Sequence, residues 1–147
     1  MINFAKLFLG CNDKTKEKLR VYYNSNCVQL VKPNRRYNMQ KGDNWCAMFT
    51  SVIAHMTGVK WFPYEVSVNE QVKLARLLGR FKPAGYEGLK VGDLIVYDWD
   101  GKGYPDHVGI VDHVEDNIGV IEGNKRDEVG YLVVSKTSKS IYGYIVL

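Results

Sequence analysis

The spacing of the apolar residues changes near residue 90, and this change constrains the fold more than any other feature. Before it, apolar side chains recur every three or four residues, which is typical of amphipathic helices. After it, short apolar segments alternate with turns rich in Gly, Asp and Asn, which is typical of hairpin-linked strands. The predicted strands cover residues 94–97, 107–114, 118–122, 131–135 and 141–147. This order predicts an α+β fold, with N-terminal helices packed on a mainly antiparallel sheet of about five to six strands.

The strongest predicted helix covers residues 45–57. Its apolar residues follow the spacing of one buried face: Trp45, Met48, Phe49, Val52, Ile53 and Met56. Asp43 or Asn44 is predicted to cap its start, and Gly58 is predicted to end it in a left-handed conformation.

Length and composition predict one globular domain over residues 1–147, because 46% of the chain is hydrophobic and 24% is charged. Residues 1–41 hold nine basic and two acidic residues, whereas residues 42–147 hold eleven basic and fourteen acidic residues. We therefore expect residues 1–36 to be a basic N-terminal helical extension. No apolar stretch approaches the ~20 residues that span a bilayer. Because Lys6 interrupts the apolar start, we expect no export signal and synthesis in the cytoplasm.

The cysteines direct attention to the start of the strongest helix. There are three of them, so at least one thiol is unpaired within the chain. Cys46 falls in the first helical turn, where free backbone N–H groups and the helix dipole favour a thiolate. It also lies at the edge of the predicted apolar face, where it could line a groove. An inert core cysteine is the alternative, and a histidine within reach would decide between the two.

Three histidines compete for this role. His55 lies about 13 Å along the same helix from Cys46, too far for a hydrogen bond. His107 and His113 lie six positions apart on one predicted strand, hence on one face but ~20 Å apart, so at most one can serve the thiol. His107 opens its strand, whereas His113 adjoins a turn and is predicted to be exposed.

A basic imidazole needs a third group to orient it, and the next strand offers Glu122 and Asn124. A hairpin loop of two or four residues would place Glu122 on the face of His107. A loop of three residues would place it on the opposite face, because a slip of one residue inverts every side chain. The pattern alone leaves both registers open.

Four separated blocks of the sequence resemble, in order, the CHAP family of cysteine, histidine-dependent amidohydrolases/peptidases. The blocks are residues 44–51 around Trp45, Cys46 and Ala47, residues 92–95 from Gly92 to Ile95, residues 106–111 around His107, and residues 121–124 from Ile121 to Asn124. The resemblance extends over about residues 37–145, and residues 1–36 match no element of the family. The NlpC/P60 family fits less well, because its usual Asp-Cys-Ser is here Trp45, Cys46 and Ala47.

The resemblance implies a papain-like fold with Cys46 as nucleophile, His107 as base, and Glu122 and Asn124 as orienting groups. It also implies a peptidoglycan hydrolase without a cofactor that cleaves an amide or peptide bond of the bacterial cell wall. A phage endolysin, a tail-associated lysin and a bacterial autolysin are all compatible with it. The natural oxyanion donors are backbone N–H groups at the helix start, with Asn44 and Tyr37 as side-chain candidates.

Other patterns allow other functions. Asp98, Asp100 and Asp106 punctuate one loop, but Lys102 and Gly109 stand where a calcium loop needs oxygen ligands, so we predict a solvated turn and no metal.

A basic cluster in the first third could bind anionic wall polymers; its members are Lys32, Arg35 and Arg36. The alternative to an enzyme is therefore a noncatalytic module that binds wall polymers or nucleic acid. The ordered blocks favour the enzyme, with peptidoglycan as partner and no nucleic acid.

Overall fold

The computed structural model describes residues 1–147 and contains one six-stranded antiparallel sheet. The strands are β1 (Phe81–Pro83), β2 (Leu94–Tyr97), β3 (His107–Val114), β4 (Asn117–Lys125), β5 (Glu128–Ser135) and β6 (Ile141–Ile145). They lie in the order β1-β6-β2-β3-β4-β5. The predicted α+β fold and the five predicted strands are confirmed. β1 is an additional edge strand, too short to show an alternating pattern in the sequence.

Four α-helices and two 3₁₀ turns complete the fold. The helices are α1 (Ile2–Lys6), α2 (Asp13–Asn26), α3 (Cys46–Met56) and α4 (Val68–Leu77), and the 3₁₀ turns are Val28–Leu30 and Pro33–Arg35. None of the helices combines the length and the apolar character that crossing a bilayer requires.

Helix α3 is the centre of the core. Every residue from Cys46 to Ala54 is buried, so the prediction of a single buried face is wrong. The physical reason is that α3 is enclosed, with β3 and β4 on one side and contacts to α2 and α4 elsewhere. Met56, predicted to lie on the buried face, is instead 37% exposed near the helix end.

The start of α3 has no side-chain cap. Trp45 occupies the N-cap position, and Asp43 and Asn44 both fail as predicted caps. Asp43 binds within its own loop, and Asn44 accepts a hydrogen bond of 3.0 Å from Asn124. The first-turn N–H groups therefore have no side-chain acceptor. The end of the helix is as predicted, with Gly58 in the left-handed region at φ 65°.

The two faces of the sheet carry separate apolar clusters. The face against α3 includes Leu94, Val96, Val108, Ile110 and Ile121. The second face includes Ile95, Tyr97, Val111, Ile118, Val120 and Tyr144. Side chains alternate between these faces along each strand, so a residue's position on its strand decides which cluster it joins.

Candidate active site

Cys46 is the first residue of α3 and its side chain is buried, at 4% exposure. This placement confirms the predicted helix start but not the predicted position at the edge of the apolar face. Because no side chain caps the helix, the first N–H groups remain free to donate to a negative charge that forms beside the thiol.

His107, the first residue of β3, lies between the thiol and a carboxylate. Its Nε2 is 3.3 Å from Oε2 of Glu122, and its side chain is 14% exposed. Burial alone would lower the pKa of His107, but hydrogen bonding with Cys46 and with Glu122 outweighs burial and raises the pKa to about 10. Since Nε2 faces Glu122, Nδ1 is the ring nitrogen that remains for Cys46.

Glu122 reaches this position because of an irregularity in β3. At the hairpin, Val114 pairs with Ile118, so three residues separate the last paired positions. With a regular ladder, such a loop would place Glu122 on the face away from His107. A β-bulge at Asp112 inserts one unpaired residue and restores the register that puts the two on one face.

The bulged residue is held by two contacts from outside the hairpin. Its carboxylate forms an ion pair of 2.6 Å with Lys6 of α1 and accepts a hydrogen bond of 3.1 Å from the Tyr131 hydroxyl. The Asp112 side chain is only 10% exposed. The bulge also places His113 on the face opposite His107, so the prediction that these histidines share a face is wrong.

Two glycines allow the close approaches at the site. A Cβ on Gly109 would lie 2.9 Å from Cγ of Glu122, so the glycine leaves the space through which that side chain passes towards His107. A Cβ on Gly123 would lie 2.6 Å from Cβ of Phe49. Gly123 therefore lets β4 pack closely against the start of α3.

Asn124 lies beside the other predicted site residues but points its amide elsewhere. It has a left-handed φ of 64° and donates to Asn44 Oδ1, which links the β4–β5 turn to the segment before α3. Tyr37 donates to Asp43 at 3.0 Å. Neither side-chain candidate for the oxyanion site, Asn44 or Tyr37, forms a hydrogen bond with Cys46, whereas the first backbone N–H groups of α3 have no side-chain acceptor.

The remaining histidines and cysteines lie apart from this group. His55 binds the Tyr22 hydroxyl at 2.9 Å, and His113 is exposed beside Glu115, as predicted. All three cysteines are free. Burial raises the pKa of Cys27 to about 12, so that thiol stays protonated and unreactive near neutral pH.

Sequence reasoning missed an aromatic stack on the other side of His107. Tyr97 pairs with His107 across β2 and β3, with ring centroids 6.0 Å apart, and Trp99 stacks on Tyr97 at 4.6 Å. A hollow of about 290 Å³ opens here, lined by Trp99, His107, Glu122, Asn124, Lys125 and Leu132. The alternation of β2 could have placed Tyr97 on the face of His107 once the strand pairing was known.

The loop between β2 and β3 brings together the side chains best placed to hold a metal ion. Carboxylate oxygens of Asp98, Asp100 and Asp106 lie within 4.8 Å of one another. Asp98 and Asp106 accept hydrogen bonds from four backbone N–H groups of the same loop. Lys102 forms an ion pair of 2.8 Å with Asp100. These contacts suit the predicted solvated turn leading to His107, and the absence of a metal stays a prediction.

The sequence pattern that defines the CHAP domain family matches residues 17–124. The match contains the four predicted site residues, begins inside α2 rather than at residue 37, and ends at Asn124 rather than near residue 145. A comparison with curated proteins gave no match. Because the matched region makes up most of the 147 residues and includes α3, β3 and most of β4, the chain belongs to the CHAP domain family.

Proposed function

We propose that this protein is a peptidoglycan hydrolase that uses Cys46 to cleave an amide or peptide bond of the bacterial cell wall. Membership of the CHAP domain family implies amidase or peptidase activity on peptidoglycan in general. One observation supports the specific proposal. The largely buried side chains of Cys46, His107 and Glu122 lie next to one another in that order, and Cys46 stands at an uncapped helix start.

In the proposed first step, the Cys46 thiolate attacks the carbonyl carbon of the scissile bond. The carbonyl oxygen becomes an oxyanion, and N–H groups of the first turn of α3 donate to it. His107, protonated at the start, gives its proton to the leaving amine as the carbon–nitrogen bond breaks. A thioester on Cys46 and a neutral His107 remain.

In the second step, water hydrolyses the thioester. Neutral His107 accepts a proton from the attacking water, and the thiolate leaves as the product acid forms. Glu122 orients the ring through Nε2 and stabilises its protonated form in both steps. Asn124 contributes by holding the β4–β5 turn against Asn44.

The Cys46→Ala variant tests the nucleophile. Release of fragments from purified peptidoglycan should fall by roughly 10³-fold or more, because no other group near His107 can form the thioester. Cys27→Ala is the matched control, since it removes a buried thiol outside the site and should keep turnover. Mass spectrometry of the fragments identifies the bond. Continued hydrolysis by a folded Cys46→Ala protein contradicts the proposal.

We also propose that the basic first third binds anionic wall polymers, although the structure changes which residues are best placed to do so. Arg35 binds the buried Glu65 carboxylate at 2.8 Å, and Arg36 donates to two backbone carbonyls, which leaves Lys32 as the uncommitted member of the predicted cluster. Arg35 is therefore needed structurally, because its loss would leave Glu65 buried without its partner.

A cleft of about 730 Å³ between α2 and the loop at residues 40–42 offers a better surface. Its lining has no hydrophobic residue, and Lys14, Lys18 and Lys41 project into it exposed and without a salt bridge. It also reaches Asp127, whose carboxylate accepts a hydrogen bond from Trp45, the residue before Cys46. An anionic polymer held there would lie close to the start of α3.

Neutralising these lysines tests the wall-binding proposal. The triple change of Lys14, Lys18 and Lys41 to Gln should weaken binding to teichoic-acid-bearing walls severalfold, and the difference should shrink at high salt because exposed charges are screened. Turnover of a short soluble peptide should stay unchanged. The triple change of Lys60, Lys136 and Lys139 to Gln is the control, because it removes three exposed charges outside the cleft and outside the basic first third. Equal loss on walls and on soluble peptide would instead assign the lysines to folding or catalysis.

The biological setting consistent with this chemistry is a phage lysin or a bacterial autolysin, made in the cytoplasm and acting on the wall. The alternative is a noncatalytic module that binds wall polymer or nucleic acid. It predicts that the wild-type protein releases no fragments from the wall and that Cys46→Ala leaves binding unchanged. Tight binding to duplex DNA through the same cleft would favour that alternative.

A further inference from the structure

Two buried polar atoms beside the candidate site have no hydrogen-bond partner in the structure. They are the hydroxyl oxygen of Tyr97 and Oε1 of Glu122. Tyr97 is completely buried, and the Glu122 side chain is 4% exposed. Leaving a buried hydroxyl and a buried carboxylate oxygen unpaired is costly, whereas one hydrogen bond between them would satisfy both.

The sheet brings these two side chains to the same place. Tyr97 pairs directly with His107, and the two rings stack with 30° between their planes. Glu122 passes over Gly109 towards the same ring. Burial, followed by the charge of Glu122, raises the pKa of the Tyr97 hydroxyl, which therefore keeps the proton that a donor requires.

We propose that Tyr97 is a positioning residue whose hydroxyl donates a hydrogen bond to Oε1 of Glu122. This bond leaves Oε2 directed at Nε2 of His107 and prevents the carboxylate from rotating away from the ring. Tyr97 itself is not a reacting group. It acts on the reaction through Glu122, and it extends the Cys46, His107 and Glu122 group by one residue on the side away from the thiol.

The catalytic consequence rests on the proposed function, but the contact itself does not. A variant that removes only the hydroxyl separates the two. Tyr97→Phe keeps the ring, the stacking on His107 and the packing against Trp99. Tyr144→Phe is the matched control, because Tyr144 is a second buried tyrosine of the same apolar cluster and pairs with Ile95 rather than with His107.

The first measurement is an NMR titration of the His107 ring, which needs no substrate. If Tyr97 holds the carboxylate in place, the pKa of His107 should fall in Tyr97→Phe by roughly half a unit or more, because the charge that favours the protonated ring becomes less well placed. Tyr144→Phe should leave the titration unchanged. An unchanged titration in a folded Tyr97→Phe protein overturns the proposal.

The second measurement is a double-mutant cycle on peptidoglycan hydrolysis with Tyr97→Phe and Glu122→Gln. We expect Tyr97→Phe to lower kcat about tenfold with little change in KM, and to add almost nothing in the Glu122→Gln background, because both changes disable one unit. Additive effects would overturn the positioning role. If the wild-type protein hydrolyses no wall at all, the proposed function fails, and the NMR titration still decides whether the contact exists.

Discussion

The two ends of β3 carry the same pair of residue types in different surroundings. At one end, His107 lies 3.3 Å from Glu122, with 14% and 4% of the two side chains exposed. At the other, His113 lies 3.5 Å from Glu115, with 46% and 77% exposed. Only the first pair adjoins a cysteine at a helix start, and the two pairs face opposite sides of the sheet.

The comparison shows that a histidine and a glutamate within 4 Å do not by themselves make a site. Exposed pairs of this kind contribute little to the stability of the folded protein, because water and salt screen the attraction between the two charges. In the buried pair, hydrogen bonding to the carboxylate and the thiol overcomes the cost of burial and keeps the ring protonated. The buried pair therefore differs from the exposed pair in two respects: it is shielded from water, and it has a third group beside it, the Cys46 thiol of α3.

The largest expected effect comes from removing the imidazole ring of His107, with removal of the His113 ring as the comparison. His107→Ala should reduce hydrolysis of purified peptidoglycan by roughly 10³-fold or more, as much as Cys46→Ala, because no other group can carry the proton to the leaving amine. His113→Ala should retain most activity. An inactive His113→Ala protein with an active His107→Ala protein would reverse the assignment of the two ends.

The two glutamates allow a finer test. Glu122→Gln keeps the shape of the side chain but removes the charge beside the ring, and we expect kcat to fall on the order of 10²-fold, less than in His107→Ala. Glu115→Gln makes the same change at the exposed pair and should leave kcat unchanged. Circular dichroism and thermal unfolding of both variants check that the fold is retained. Equal kinetics for the two variants would show that burial of the pair has no catalytic consequence.

The smallest expected effect is on the pH dependence of stability. The pKa of His107 is about 10 in the folded protein, above its ordinary value of 6.5. The protonated ring therefore adds stability that is complete below about pH 6.5 and is lost as the pH rises through about 10. The difference in unfolding free energy between wild type and His107→Gln should shrink over this range in urea titrations.

His113→Gln is the control for the stability measurement. Its ring and its partner are both largely exposed, so its removal should change the unfolding free energy by little at any pH in this range. A wild-type advantage over His107→Gln that stays constant between about pH 6.5 and 10 would mean that the ring is neutral in the folded protein over that range.

Local pattern predicted much of this site because the relevant signals are short in range. The apolar spacing around Cys46 predicts α3 without reference to any distant segment of the chain. The position of His107 at the head of β3 follows from an alternating segment that opens after Pro105. The failed caps show the limit. Asp43 binds its own loop instead of the helix, and Asn44 binds Asn124, a partner 80 residues away that no local rule identifies.

The sequence by itself determined the α+β class, the helix that begins at Cys46 and the strand that begins at His107, because helix and strand periodicity are properties of neighbouring residues. Only the tertiary structure decided that Glu122 faces His107. That outcome depends on one unpaired residue, Asp112, whose bulge is held by Lys6 from the first helix and Tyr131 from another strand. A register is set by contacts between segments distant in the chain, and a single-residue slip changes the face of every side chain beyond it.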